Sequence, residues 1–159
     1  MSRTLFLRLL LFTCALFTLS CTIEELAETN TVKALNDTRL EAEIMELVNS
    51  HRSTLGLSKL NFNEVAYTYA GEHNDYMIAK GSLSHDNFNQ RASRISSEAN
   101  AERVGENVAK DYSSAESVFN GWLKSESHKK NIEDIYTHTA ISVKRNSEGD
   151  LYFTQIFFK

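Results

Sequence analysis

The sequence contains no proline and only two cysteines among its 159 residues. Average usage would give about eight prolines in a chain of this length, so a Pro-rich linker or ligand segment is excluded. Both cysteines, Cys14 and Cys21, lie near the N-terminus. The chain beyond Cys21 therefore cannot hold an internal disulfide, a zinc ribbon or a cysteine nucleophile.

Basic residues are outnumbered by acidic ones, 17 to 21, and the net charge is −4. No basic block appears, which argues against binding to nucleic acid. Apolar residues make up 42% of the chain and charged residues 24%, which is typical of one globular domain. Four common motifs are missing: a phosphate loop, a dinucleotide-binding glycine pattern, a G-x-S-x-G elbow and an H-E-x-x-H helix.

The N-terminus has the pattern of an export signal. Arg3 and Arg8 accompany an apolar run at residues 9–19, which is too short to span a membrane but typical of a signal peptide. The run ends in Leu19-Ser20-Cys21, which resembles a bacterial lipobox, where the cysteine is lipidated and the chain is cut before it. We predict that residues 1–20 are a lipoprotein signal peptide; the alternative is an ordinary signal peptide with an incidental cysteine.

Residues 21–37 are predicted to be the lipidated Cys21 and an acidic tether, because they are polar with little periodicity. A fraying first helix is the alternative. Loss of residues 1–20 would take the net charge from −4 to −6. The predicted location is the cell envelope, periplasmic or surface-facing, with the membrane as a partner through Cys21; a protein released outside the cell is the further possibility.

From residue 38 the hydrophobic pattern predicts helices. Thr38 and Glu41 have the spacing of a capping box, as do Ser113 and Glu116, and Asn63 is predicted to cap a helix between them. Leu40 opens an apolar stripe at helical spacing in the first of these helices.

The last part of the chain changes to a period of two. Ile141 and Val143 alternate with polar residues, a turn follows at 146–149, and residues 151–158 are apolar and aromatic. These features predict a C-terminal hairpin. Residues 38–159 are therefore predicted to form an α+β domain with helices packed on a small antiparallel sheet.

Three short polar segments carry the residues that could bind a metal or take part in catalysis. They contain His85, Glu106 and His128, which are separated by 21 and 22 residues and are predicted to lie at element boundaries. Two imidazoles and a carboxylate form a ligand set that zinc accepts. The spacing alone, however, favours the interpretation that these three residues lie on the surface and are unrelated to each other.

The order of these segments resembles the CAP superfamily of cysteine-rich secretory proteins, antigen 5 and plant pathogenesis-related proteins, and most closely its bacterial secreted branch. The resemblance covers about residues 40–159. It is carried by LVNSHR at 47–52, SH at 84–85, GEN at 105–107, WLKSESHKKNI at 122–132 and YFTQIF at 152–157.

The resemblance implies a three-layer α-β-α sandwich with a cleft that binds a divalent metal in some members. For this chain, the expected metal is zinc or calcium. His85, Glu106 and His128 match three of the family's four cleft residues. The fourth position is Ser125 in this chain, with Glu126 one residue further on. Glu126 would point away from His128 if the helix continued and inward if the helix ended near Ser125. Ser84, Asn107 and Asn131 are predicted to support the cleft.

The preferred hypothesis is an exported binding module whose ligand is a lipid, a cell-wall fragment or a protein. The alternatives are a metal-dependent hydrolase using the same cleft and a structural envelope protein with a vestigial cleft. A serine hydrolase built on Ser84 or Ser125 is disfavoured, because Ser84 is expected to cap a turn and Ser125 to bond its own backbone. His51 and His73 are interpreted as structural.

Overall fold

The computed structural model describes residues 34–159, and the predictions for Cys14, Cys21 and the signal peptide lie outside that range. In order, the elements are β1 (Leu35–Asn36), α1 (Thr38–Thr54), β2 (Asn61–Phe62), α2 (Glu64–Lys80), α3 (Phe88–Ala99), β3 (Val104–Lys110), α4 (Ala115–Lys124), α5 (Glu126–Glu133), β4 (His138–Arg145) and β5 (Leu151–Phe158). No helix within 34–159 has the length and apolar character to cross a membrane.

A five-stranded sheet with the order β1-β4-β5-β3 forms the middle layer, and β2 pairs with β4 in parallel. The strands β4 and β5 form the predicted C-terminal hairpin, while β3 pairs antiparallel with β5 at the edge of the sheet. The chain therefore has the predicted α+β architecture.

Helices cover both faces of this sheet. On one face α1, α4 and α5 pack with Ile141, Phe153 and Phe157, and on the other α2 and α3 pack with Ala140 and Ile156. All eight residues of β5 are buried, because side chains point alternately to the two faces and both faces are covered. This arrangement confirms the three-layer α-β-α sandwich.

The N-cap residues of α1 and α4 each lie one position away from the predicted ones. Asp37, one residue before Thr38, caps α1 by accepting a hydrogen bond from the Leu40 N–H. Glu41 does not reach back to the cap, because its carboxylate accepts hydrogen bonds from the Val143 N–H and the Tyr67 hydroxyl.

The second predicted capping box is displaced by one residue in the opposite direction. Ser114 is the N-cap of α4 and closes a box with Ser117, rather than Ser113 with Glu116. The prediction for α2 is confirmed, since the Asn63 side chain accepts from the Ala66 N–H.

The folded domain begins earlier than residue 38. Leu35 and Asn36 form β1 and pair with Arg145 and Lys144 of β4, so the end of the predicted tether belongs to the sheet. Buried hydrophobic residues in the described part of the chain lie between Leu40 and Phe158. A protein that starts at residue 22 therefore keeps this entire core.

A buried arginine joins the end of α1 to the segment after α5. Arg52 is only 1% exposed, and its guanidinium donates to the backbone carbonyls of Ile132 and Asp134 at 2.7 and 2.8 Å. It also donates to the carbonyls of Ser58 and Tyr136 at 2.9 and 3.2 Å. Arg52 thereby fixes where α5 ends and where the chain enters β4.

Candidate functional site

A buried ion pair lies at the centre of the predicted cleft. The side chain of Glu106, on the edge strand β3, is 1% exposed and faces α3. The Arg91 guanidinium donates from Nε and Nη2 to Oε2 at 2.9 and 2.7 Å, and from Nη2 to Oε1 at 2.8 Å. Both carboxylate oxygens of Glu106 are thus bonded to one guanidinium, which is a strong charge-assisted geometry.

His85 is held against the same carboxylate from the loop between α2 and α3. Its Nδ1 lies 2.9 Å from Oε1 of Glu106, and its side chain is 52% exposed. Because an ionised carboxylate only accepts, Nδ1 carries the proton of this hydrogen bond. The Nε2 atom of His85 is therefore the nitrogen left for a ligand.

The pKa of Glu106 is lower than its ordinary value despite its burial. Burial alone would raise the pKa, but the hydrogen bond from His85 and the charge of Arg91 outweigh it. Glu106 is accordingly an anion at neutral pH, and its charge is balanced inside the protein by Arg91.

A second imidazole approaches Glu106 from α2. His73 is buried, and its Nε2 lies 2.7 Å from the Ser84 carbonyl oxygen and 3.8 Å from Oε1 of Glu106. Desolvation lowers its pKa, so the ring is neutral and Nε2 donates to Ser84. His73 thus holds the backbone before His85, which extends its predicted structural role.

His128 lies near His85, with 6.4 Å between the ring centroids. Desolvation, followed by the proximity of His85, lowers the pKa of His128. The backbone of His128 accepts from Nδ2 of Asn107 at 3.1 Å, and Asn131 donates to both Asn107 and the Glu106 carbonyl. Asn107 and Asn131 therefore join β3 to α5 beside the three cleft residues.

The structure brings the three predicted cleft residues together, and within residues 34–159 neither Ser125 nor Glu126 forms a hydrogen bond or ion pair with any of them. Helix α4 ends at Lys124, Ser125 has an extended conformation, and Glu126 is the exposed first residue of α5. The side chain of Ser125 contacts the Ser127 hydroxyl at 3.2 Å rather than its own backbone. The helix ends just before Ser125, as the second alternative required, and Glu126 opens the next helix with an exposed side chain.

The hydroxyl of Ser84 has the expected local role. It accepts a hydrogen bond from the Asp86 N–H at 2.8 Å, which fixes the turn carrying His85. This bond supports the interpretation of Ser84 as a turn-capping residue.

An open cleft of about 420 Å³ borders the pair of His85 and Glu106. Its other charged or polar lining side chains are Arg103, Ser127, Lys130 and Asn131, and its aromatic ones are Phe88 and Tyr136. Gly105 forms part of the floor, where a Cβ atom would lie 2.6 Å from the Tyr136 hydroxyl. The glycine of the GEN motif is therefore required by close packing.

The carboxylate does not fit the role of a metal ligand in this arrangement. A cation on Glu106 would have to displace Arg91 or lie beside its positive charge. Among residues 34–159, no three His, Cys, Asp or Glu side chains are grouped so that they could hold a metal ion. The zinc or calcium site remains a prediction, for which this conformation provides two imidazoles but no available carboxylate.

Sequence reasoning missed Arg91, although one signal was present. Phe88, Arg91 and Ile95 share one face of α3, and Ile95 is fully buried. A basic residue on the buried face of an amphipathic helix requires an acidic partner or carbonyl oxygens. The partner could not be identified from spacing, because Glu106 lies in another element.

Comparisons with known proteins agree with this architecture. The sequence pattern of the cysteine-rich secretory protein family, CAP, matches residues 45–157. The uncharacterized membrane protein YlbC of Bacillus subtilis (strain 168) is 30% identical over 126 residues, which cover 77% of this chain and 35% of YlbC. The chain thus spans about a third of the length of that relative.

Solved structures with the same fold come from three bacteria. An outer surface protein from Borrelia burgdorferi has a TM-score of 0.72 at 18% identity, covering 79% of this chain and 96% of its own. An extracellular protein containing an SCP domain from Bacillus anthracis str. Ames has a TM-score of 0.67 at 25% identity, covering 77% and 41%. A cysteine-rich secretory protein from Staphylococcus aureus has a TM-score of 0.66 at 16% identity, covering 76% and 38%.

Proposed function

Because the chain belongs to the cysteine-rich secretory protein (CAP) family, we propose that it is a lipid-anchored binding protein that works outside the cytoplasm. The export pattern of residues 1–20 and the lipobox at Cys21 support the anchor. The names of two structural neighbours, an outer surface protein and an extracellular protein, support the location. The ligand is a lipid, a cell-wall fragment or a protein segment.

The observation that carries the binding role is the pairing of Glu106 with Arg91. A metal-dependent hydrolase would need a carboxylate free to coordinate an ion or to activate water. Here both carboxylate oxygens accept hydrogen bonds from Arg91, and Oε1 also accepts one from His85. Glu106 is suited to hold His85 in a fixed orientation at the edge of an open cleft.

Residues 22–159 are expected to bind either phospholipid vesicles or soluble peptidoglycan fragments saturably without converting them. His85→Ala removes an exposed cleft side chain, so we expect binding to weaken about tenfold. His138→Ala serves as the matched control, because His138 stacks on Phe158 and does not line the cleft. Calorimetry measures the affinity and mass spectrometry of the incubated probe detects conversion.

Time-dependent cleavage of either probe that is lost in His85→Ala would support the hydrolase alternative instead. Equal binding by the wild type, His85→Ala and His128→Ala would favour the vestigial cleft.

Lipidation of Cys21 is tested with the full chain expressed in a bacterial host supplied with radiolabelled palmitate. We expect the label to be incorporated into the wild type and Cys14→Ser but not into Cys21→Ser, because only the Cys21 thiol remains after cleavage. The chain offers this matched control because Cys14 lies inside the predicted signal peptide. Incorporation into Cys21→Ser, or none into the wild type, would refute the anchor.

A further inference from the structure

The lining of the cleft carries positive charge, although the chain as a whole is acidic. Glu106 is the acidic residue of the lining, and Arg91 neutralises it from behind. Arg103 and Lys130 contribute two basic side chains to the same lining, and Arg103 is paired with the Asp134 carboxylate. Lys130 is thus the one positive charge of the lining that no described carboxylate pairs with, and it favours an anion over a cation in a protein whose net charge is −4.

One wall of the cleft is formed by α5. Ser127, Lys130 and Asn131 follow each other at spacings of three and one, and all three line the cleft. Because residues three and four apart share a helix face, the Ser127 hydroxyl and the Lys130 ammonium lie on the same side of α5. Together they offer a hydrogen-bond donor and a charge to one ligand group.

Another part of the lining combines an ion-paired guanidinium with aromatic surface. The guanidinium of Arg103 is held by Asp134 and lies 5.1 Å from the centre of the Tyr136 ring. Phe88 adds a second ring to the lining. The cleft therefore presents flat apolar surface beside its basic groups, which suits a ligand with both an anionic and an apolar part.

We propose that this cleft binds a carboxylate or phosphate group carried on an apolar or ring-bearing molecule, with Lys130 and Ser127 contacting the anion. The inference rests on the proposed binding function and specifies its ligand class. The proposed ligand is an anion, whereas the family resemblance implies a divalent cation. An anion is favoured because the Glu106 carboxylate, which would attract a cation, is already paired with Arg91.

The test uses residues 22–159 and three small probes that share a ring and differ in charge. Phenyl phosphate and phenylacetate carry the two anionic groups, and benzylamine carries a cation. NMR titration follows the resonances of His85 and Lys130. We expect both anions, or one of them, to bind saturably in the millimolar range and benzylamine to cause no saturable shift.

Two substitutions locate the anion. Lys130→Gln removes the cleft charge and is expected to weaken binding of the anionic probe about three- to tenfold. Lys129→Gln is the matched control, since Lys129 faces Glu133 at 3.9 Å, does not line the cleft and should leave the affinity unchanged. Raising the salt concentration to about 0.5 M should weaken the wild type more than Lys130→Gln, because the lost interaction is electrostatic.

The outcomes separate the inference from the proposed function. A preference for phenyl phosphate or for phenylacetate identifies which anion the cleft takes. Preferred binding of benzylamine, equal effects of Lys130→Gln and Lys129→Gln, or no binding of either anion would overturn the inference. The binding function itself would still stand if vesicles or peptidoglycan fragments bound in a His85-dependent way, and it would fail together with the inference if they did not.

Discussion

Replacing Arg52 with methionine is expected to lower the free energy of unfolding by about 3–5 kcal/mol. Methionine fills a similar volume, but it cannot donate to the four carbonyl oxygens that Arg52 binds. Those of Ile132 and Tyr136 belong to buried residues, so they lose a partner that water does not easily replace. Urea unfolding of residues 22–159 measures the change.

Arg52→Lys is the graded control for this prediction. Lysine keeps the positive charge but lacks the planar fork of donors, so it should lose less stability than methionine does. A loss below about 1 kcal/mol for Arg52→Met would show that the carbonyl network contributes little, contrary to our interpretation.

Breaking the pair of Arg91 and Glu106 is expected to have the second large effect. Arg91→Met leaves a buried carboxylate without its guanidinium, and Glu106→Leu leaves a buried guanidinium without its carboxylate. Each single substitution should cost about 3–5 kcal/mol of unfolding free energy. The double variant should cost much less than the sum, because it removes both charges together.

A double-mutant cycle by urea unfolding provides the measurement, with Arg94→Met as the control on an exposed position of the same helix. Arg94→Met should change the unfolding free energy by no more than about 0.5 kcal/mol. Additive costs in the cycle would mean that Arg91 and Glu106 do not interact, and Glu106 would again be available as a metal ligand.

The hydrophobic pattern predicted the α+β domain well where it was regular, whereas the three-layer sandwich was implied by the family resemblance. The α2 cap at Asn63 and the β4–β5 hairpin were both found. Strand β3 was not predicted, because its two buried faces carry polar residues: Glu106 faces Arg91, and Asn107 faces α5. Polar side chains that are satisfied by distant partners remove the period-two signal that identifies a strand.

The start of α1 was displaced for a related reason. Asp37 and Thr38 are both suitable caps, and the sequence does not show which one acts. The choice depends on Glu41, whose carboxylate is occupied by the Val143 N–H, 102 residues further along the chain. A tertiary contact thus overrides a local capping pattern.

The candidate site shows the same limit of sequence reasoning. The motifs selected His85, Glu106 and His128 as neighbours, and all three lie close together in the fold. The charge of the site depends on Arg91, which no motif included. One unrecognised guanidinium changes the expected ligand from a cation to an anion.

The most direct test of this account is whether zinc reaches the carboxylate of Glu106. Residues 22–159 are labelled with ¹³C at the glutamate side-chain carboxyls, and the Glu106 resonance is assigned from the spectrum of Glu106→Gln. We predict that this resonance does not shift saturably as zinc is added, because Arg91 keeps both oxygens. A saturable shift of the Glu106 resonance accompanied by a shift of the Arg91 Nε–H resonance would show that zinc displaces the guanidinium, which would contradict the account and establish a metal site at Glu106.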